Sequence, residues 1–579
     1  MSTVRRHSSS AVSFQGVPAA PGLTTGPVLI WQKREVSVSR RTGQDPAQQR
    51  ALLDQAIKTA RDQIESFCKK LVDENHPDEA AVFSAHEMLV EDRSLLKKVD
   101  LALAAGLNAE AAWFDSVEAF AGQLENLSDP TLRLRAADLR DVGERVLRIL
   151  VGEERDSEIV LPRPSVIVAR DLAPSETVSL NKHMVLGFCT AQGGPTSHTA
   201  ILAKALGLPA VVGLGEEIVA LHDGTVVLLD GNSGEVTADP DETMLAAFQT
   251  KILQRKQQSN VEFIDAMAPA TTLDGKHFEV VANIGNLGEA STALQFGAEG
   301  VGLLRTEFLF LGRGACPDEE EQTAAYRGIL DVMGELPVVV RTIDAGGDKE
   351  IPYLHQAREA NPFLGWRAVR LCLSEPEFFK QQLRALLRAS LHHNMRIMFP
   401  MISTLQEVRQ AKNLLAEARS ELEKLSIPMA PSIQVGIMVE IPSVAIQADL
   451  FAKEVDFFSV GTNDLTQYSL AADRTNPKLA HLNDPCSPAV LRLMRTSALA
   501  AHERGIWIGV CGELAGDPDA IPILIGLGVD ELSMSPTLIP AAKSLIRRWR
   551  YDRAQQVAEN TLNLESAGAV REYVRSTAP

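Results

Sequence analysis

Basic charge is what this chain is short of. Across 579 residues, 57 Lys and Arg stand against 75 Asp and Glu, a net charge of −18. That deficit argues against nucleic acid and anionic membrane surfaces as partners, since both select basic patches. Paired cysteines are lacking too. Six cysteines (Cys68, Cys189, Cys316, Cys372, Cys486, Cys511) are widely scattered and none forms a CxxC. Neither a zinc site nor a disulfide framework is indicated; most read as small buried hydrophobes in a reducing compartment. No apolar run is long enough to cross a bilayer. Met1 to Ser10 carries two arginines and a serine run with no apolar core behind it, so it reads as a disordered start and not as a secretory signal. Nor is there a GxxxxGKS or GxxxxGKT phosphate loop. The remaining composition, 45% hydrophobic and 23% charged, fits a cytoplasmic globular chain, and the length fits three or four domains at ~150 residues each.

What is present falls into blocks. Val12 to Trp31, rich in Gly, Pro and Val, predicts short strands with turns. From about Asp45 to Gly152 the pattern turns helical, with Leu139, Val142, Val146 and Leu150 at helical spacing. Several amphipathic helices in a row predict a bundle. From Ile159 a β/α mixture returns, with apolar runs at Ser165–Ala169, Met184–Phe188, Ala210–Gly213 and Thr225–Asp230. The expected layout is therefore a disordered 1–12, a β/α domain made of 13–35 and 152–238, a helical insertion at 36–151, and a charged, Gln-rich helical linker at 239–267. Residues 268–579 follow as a last domain. There, eight short apolar runs alternate with helical stretches: 280–284, 300–304, 337–343, 396–400, 435–439, 457–460, 507–511 and 531–534. Their number and length predict a (β/α)8 barrel, with an open doubly wound sheet as the competing arrangement.

The run ends favour the barrel. Arg305 follows the second run, Arg341 ends the third, Glu440 ends the fifth, Asn463 and Asp464 follow the sixth, and Cys511 and Glu513 end the seventh. Barrel active sites are assembled from the C-terminal ends of different strands. Arg305, Arg341, Arg367 and Arg474 suit phosphate or carboxylate, which guanidinium forks match, although Arg367 equally suits a structural ion pair. Glu440 and Asp464 offer two hard oxygen ligands suited to Mg²⁺, which takes one or two carboxylates together with substrate oxygens and waters. A thiol at a strand end, Cys511, can deliver a proton or attack as a nucleophile. His198 stands apart, in Gly193-Gly-Pro-Thr-Ser-His-Thr-Ala200. The glycines predict a tight turn, Pro195 suits a helix's first turn, and the histidine would then sit where free amides favour anions. A histidine so placed can attack phosphorus.

These motifs resemble a known family. GGPTSHTAILAKALGLPAVVG, DFFSVGTNDLTQYSLAADR and GVCGELAGD, from Gly193, Asp456 and Gly509, resemble the signatures of the phosphoenolpyruvate-utilising enzymes. APG at Ala20, RAADLRDVGERVLR at Arg135, DLAPSET at Asp171, RTEFLF at Arg305, RTIDAGGDKEIPY at Arg341 and NPFLGWRAVR at Asn361 are similar to the branch that phosphorylates a carrier protein. The resemblance runs from about Phe14 onward. It implies that His198 takes the phosphoryl group from phosphoenolpyruvate, that Thr177 orients its imidazole, and that Arg305, Arg341, Arg367 and Arg474 hold the phosphate and carboxylate. Further implications are Asn463 on the substrate, Mg²⁺ on Glu440 and Asp464, and Cys511 protonating the enolate to pyruvate. The β/α domain would swivel on the linker, the helical insertion would dock the carrier HPr, and the barrel would mediate a homodimer. One departure is Pro195, where the family usually has Arg or Lys; it removes a cation next to the histidine. Two rivals share parts of the pattern. Pyruvate phosphate dikinase and phosphoenolpyruvate synthase need a nucleotide-binding domain for which this chain has no room. A regulatory scaffold without turnover would draw on Pro195 alone.

Overall fold

The structure is a computed structural model that describes residues 4–6, 11–32, 36–73, 86–87, 89–90, 92–125, 130–153, 159, 161–172, 176, 180–181, 183–194, 197–311, 313–346, 351, 353–354, 359–474 and 476–578. It divides into two compact units, Met1–Arg255 and Lys256–Pro579. The division falls inside the helix Glu242–Ile264.

The first unit holds a nine-stranded mixed sheet built from β1 (Val4–Arg6), β2 (Val12–Gln15), β3 (Val17–Ala20), β4 (Leu23–Trp31), β5 (Ser165–Ala169), β6 (Val185–Thr190), β7 (Ala210–Val212), β8 (Val226–Asp230) and β9 (Glu235–Ala238). Their spatial order is β1-β2-β9-β8-β4-β5-β6-β7-β3. β4 and β5 are parallel neighbours, Val28 opposite Val166, although 133 residues separate Trp31 from Ser165 in the chain. β5 is buried along its whole length, as expected of a strand covered on both faces. One apolar cluster includes Phe14, Val166, Val168 and Leu229, and another includes Ile167, Phe188, Ala200 and Val212. Val4–Arg6 corrects the expected disordered start: it pairs antiparallel with Val12–Gln15, Val4 opposite Phe14, because an edge strand offers unpaired amides and carbonyls to any nearby extended chain.

Between β4 and β5 the described residues include the helices α1 (Pro46–Asp73), α2 (Arg93–Ala104), α3 (Ala109–Glu125) and α4 (Pro130–Val151). They enclose a core of their own that includes Leu53, Ala60, Leu95, Trp113, Val117, Leu139, Val142 and Val146. Trp113 is fully buried and its indole Nε1 donates to the Gly143 carbonyl at 2.8 Å, which satisfies its one polar atom and ties α3 to α4.

The second unit is a closed barrel. A short strand, β10 (Ala270–Thr271), pairs antiparallel with β11 (His277–Ile284). β12 (Val301–Leu304), β13 (Val338–Arg341), β14 (Met395–Phe399), β15 (Gln434–Val439), β16 (Phe457–Val460), β17 (Trp507–Val510) and β18 (Glu531–Met534) follow. Each of the eight strands β11–β18 is parallel to the next, and β18 pairs back onto β11, Met534 opposite Ala282. This excludes the open sheet. Phe457 stacks on Trp507 at 4.5 Å within a lumen that also holds Leu303, Val339, Met398, Met438 and Cys511. Filling by side chains makes the barrel a packed core, not a pore. The helices pack outside against the larger apolar cluster.

Candidate active site

Parallel closure brings all eight strand ends to one face. Arg305 follows β12 with an exposed side chain, Arg341 ends β13, Glu440 follows β15, and Cys511 follows β17. Asn463 and Asp464 occupy the first turn of the helix Thr462–Leu470, one residue after β16 ends. Arg367 reaches the same place from the long loop after β13, where its backbone bridges Gly346. The structure thus brings together the arginines, acids and thiol expected from the barrel half of the sequence.

Their charges alternate. The Arg341 guanidinium donates to Glu307 Oε1 at 2.9 Å and pairs with Asp344 Oδ2 at 3.1 Å. Arg367 holds Asp344 through both carboxylate oxygens at 2.9 Å and sits 3.5 Å from Asp464 Oδ1. Asp464 Oδ2 accepts from Arg474 at 3.2 Å. Burial works against the charge on Arg341 and Arg367, but the acids around them overcome it and hold both above the ordinary arginine value. Arg367 is fully buried, so its ion-pair role is real; its Nη1 still lacks a hydrogen-bond partner. Glu307 and Asp344 are the residues that sequence reasoning missed. The available signal was an acid two positions after Arg305 and another three after Arg341, inside the same motifs.

Glu440 is fully buried. Its Oε1 accepts from the Met401 amide at 2.5 Å while Oε2 has no hydrogen-bond partner. Burial first, then the nearby Asp464 and Asp344, push its carboxyl well above the usual range, with Arg341 and Arg367 opposing. Asp464 Oδ1 likewise lacks a hydrogen bond. Two carboxylate oxygens left open beside arginines fit a hard divalent cation whose remaining ligands come from substrate and water. No group of three or more His, Cys, Asp or Glu suited to a metal occurs among the described residues. Gly461 keeps the space: a Cβ there would lie 3.0 Å from both Glu440 Oε2 and Met438 Sδ.

Cys511 is buried beneath this group. Its Sγ lies 3.7 Å from the Val460 carbonyl, and burial pushes the thiol up to about 11, with Ser459 and Arg341 pulling the other way. It is therefore protonated at neutral pH. Asn463 Oδ1 accepts from the Glu513 amide at 3.3 Å and so props the turn that follows Cys511. Positive φ values at Ala368 (51°), Met401 (55°) and Ala471 (51°) mark backbone held in a costly conformation beside Arg367, at the amide on Glu440, and three residues before Arg474.

In the first unit, His198 opens the nine-residue helix α5 (His198–Leu206), capped by Ser197, whose Oγ accepts from the Ala200 amide at 3.4 Å. The helix starts at His198, because Ser197 supplies the cap and takes the extended backbone of that position. The histidine thereby occupies the first helical position, where amides are free. Thr177 and Pro195 lie outside the described residues.

Three patterns of one family match along the chain: the N-terminal domain of PEP-utilising enzymes over residues 15–135, their mobile domain over 161–234, and their PEP-binding domain over 260–551. The phosphoenolpyruvate-protein phosphotransferase of Geobacillus stearothermophilus is 43% identical over 98% of both chains. The chain belongs to this family of phosphoenolpyruvate-utilising phosphotransferases. Another member, from Bacillus subtilis strain 168, is 41% identical over 97% of this chain and 99% of its own. A solution structure described as Enzyme I (nEIt) is 34% identical, with a TM-score of 0.36, over 42% of this chain and 99% of that one. No helix among the described residues is long and apolar enough to cross a membrane.

Proposed function

We propose that the chain moves the phosphoryl group of phosphoenolpyruvate to His198 and from there to a histidine of the carrier protein HPr, releasing pyruvate. The observation that carries the reading is the barrel face itself: four arginines, two open carboxylate oxygens and a protonated thiol at the ends of different strands. Arg305, exposed, and Arg474, partly so, are the arginines best able to meet an incoming phosphate. Arg341 and Arg367, fixed by Glu307 and Asp344, hold the positive field in place without reorganising. Glu440 and Asp464 would hold Mg²⁺, which supplies neutralisation of phosphate charge when bound. An imidazole nitrogen of His198 attacks phosphorus as the bond to the enol oxygen breaks. The enolate then takes the Cys511 proton at carbon and becomes pyruvate. Thr177 orients the imidazole, and Asn463 contacts substrate. Positioning and charge dominate phosphoryl transfer, and these residues provide both.

The helical insertion α1–α4 is the proposed HPr dock, and the barrel the proposed dimer surface of a cytoplasmic protein. Labelled phosphoenolpyruvate with Mg²⁺ tests the core of the proposal. Wild-type protein is expected to acquire an acid-labile, alkali-stable label that His198→Ala lacks. Undiminished labelling of His198→Ala would overturn it.

A further inference from the structure

The C-terminal helix Ala567–Thr577 reaches the loops of this barrel face through Arg571 and Arg575. Arg571 grips Asp484 with two parallel bonds, Nε to Oδ2 at 2.8 Å and Nη2 to Oδ1 at 2.9 Å. Its remaining nitrogen, Nη1, donates to Asp517 Oδ2 at 2.6 Å and lies 3.4 Å from Asp519 Oδ2. Arg575, one turn on, closes over Asp519 at 2.7 Å. The two gripped acids belong to different segments. Asp517 ends the turn that begins at Cys511 and runs through the 3-10 helix Glu513–Gly516. Asp484 ends the segment that begins at Arg474, and Asn483 beside it donates to the Asp473 carbonyl at 3.3 Å. Arg571 therefore joins the segment that follows Asp473 to the segment that follows Cys511.

We infer that Arg571 is a positioning residue for the reaction: it locks the segment carrying Arg474 to the segment carrying Cys511. A planar fork with five donors grips one carboxylate bidentately and still reaches a second; an ammonium has three donors and no fork that matches a carboxylate. Asp484, Asp517 and Asp519 would repel one another without it, and each segment would relax away from the other. The inference rests on the reading of Arg474 and Cys511 as phosphate-binding and proton-donating groups. A misplacement of even 1 Å at such groups can cost on the order of 100-fold in rate.

The test uses the full-length protein and two readouts. Amide exchange is followed in residues 473–487 and 511–519, and pyruvate formation is measured against phosphoenolpyruvate concentration. Arg571→Gln is expected to speed exchange in both segments, lower kcat by roughly tenfold or more, and raise KM, while the remaining helices keep their protection. Arg571→Lys should recover part of the charge and little of the kcat. Asp484→Asn should loosen 473–487 and leave 511–519 protected by Asp517; it also serves should Arg571→Gln not fold. Unchanged exchange in either segment of Arg571→Gln overturns the lock. A lower thermal midpoint with kcat and KM intact overturns it too, since that is what a stabilising ion pair alone would do. Arg474→Ala and Cys511→Ala run alongside. Wild-type turnover in those two refutes the site reading, and the exchange result still decides the lock.

Discussion

Glu531 shows what one buried carboxyl imposes on its surroundings. It opens β18, is 2% exposed, and its Oε1 has no hydrogen-bond partner. Gly509 on the adjacent strand leaves it room: a Cβ there would stand 2.9 Å from that oxygen. Burial first, then Glu279 and Asp530, push the carboxyl up to about 8, with Arg396 opposing. An unfolded glutamate ionises near 4.3. Between those values the unfolded chain has lost this proton and the folded one has kept it, so stability falls as pH rises. The contribution is fully present below the unfolded value and is gone above the folded one. Glu531→Gln mimics the protonated form and removes the dependence. Denaturant midpoints at pH 5, 7 and 9 should show the variant gaining on wild type up to about pH 8 and then holding level. A difference independent of pH would mean that Glu531 is ionised in the fold.

At the scale of elements, the site depends on how β16 hands over to the helix Thr462–Leu470. Gly461 makes that turn beside Glu440, so Gly461→Ala should displace the open carboxylate oxygen without touching substrate. We expect roughly a 10–100-fold loss of Mg²⁺-dependent turnover, partly recovered by more Mg²⁺, with an unaltered circular dichroism spectrum. Wild-type Mg²⁺ dependence in the variant would remove Glu440 from the metal site. The sequence disclosed this face readily because parallel strands align their ends: Arg305, Arg341, Glu440, Asp464 and Cys511 each lie at a strand end or within four residues of one. It disclosed much less of what fixes them. Asp344 matters through Arg367, 23 residues away, and Asp484 through Arg571, 87 away. Such pairs leave no periodicity: Asp344 and Arg367 stand in two separate motifs, and nothing in the sequence joins one to the other. Glu531 was legible as a strand residue, but its neighbours Glu279 and Arg396 come from strands distant in the chain. The edge strand Val4–Arg6 was equally hidden, since only its partner β2 gives it a ladder.

At the scale of the molecule, the two units have separate apolar cores. The sheet and bundle clusters lie wholly within Met1–Arg255, and the barrel clusters within Lys256–Pro579. Each unit therefore buries its own hydrophobic surface, which is the condition for independent folding. Truncation after Arg255 cuts the helix Glu242–Ile264, but Lys251 stays with the first unit and keeps its 2.8 Å bond to Asp230. The fragment 1–255 thus retains His198, the Ser197 cap and the bundle α1–α4, and loses Arg305, Arg341, Arg367 and Arg474, proposed to hold substrate, with Glu440, Asp464 and Cys511. A phosphohistidine acceptor without a phosphoenolpyruvate site should exchange phosphate with the carrier and ignore phosphoenolpyruvate. The purified fragment is expected to be folded by circular dichroism and to take label from phosphorylated HPr. With labelled phosphoenolpyruvate and Mg²⁺ it should stay unlabelled. Label acquired from phosphoenolpyruvate by the fragment alone would show that the first unit carries its own substrate site, and the division of labour between the units would fall.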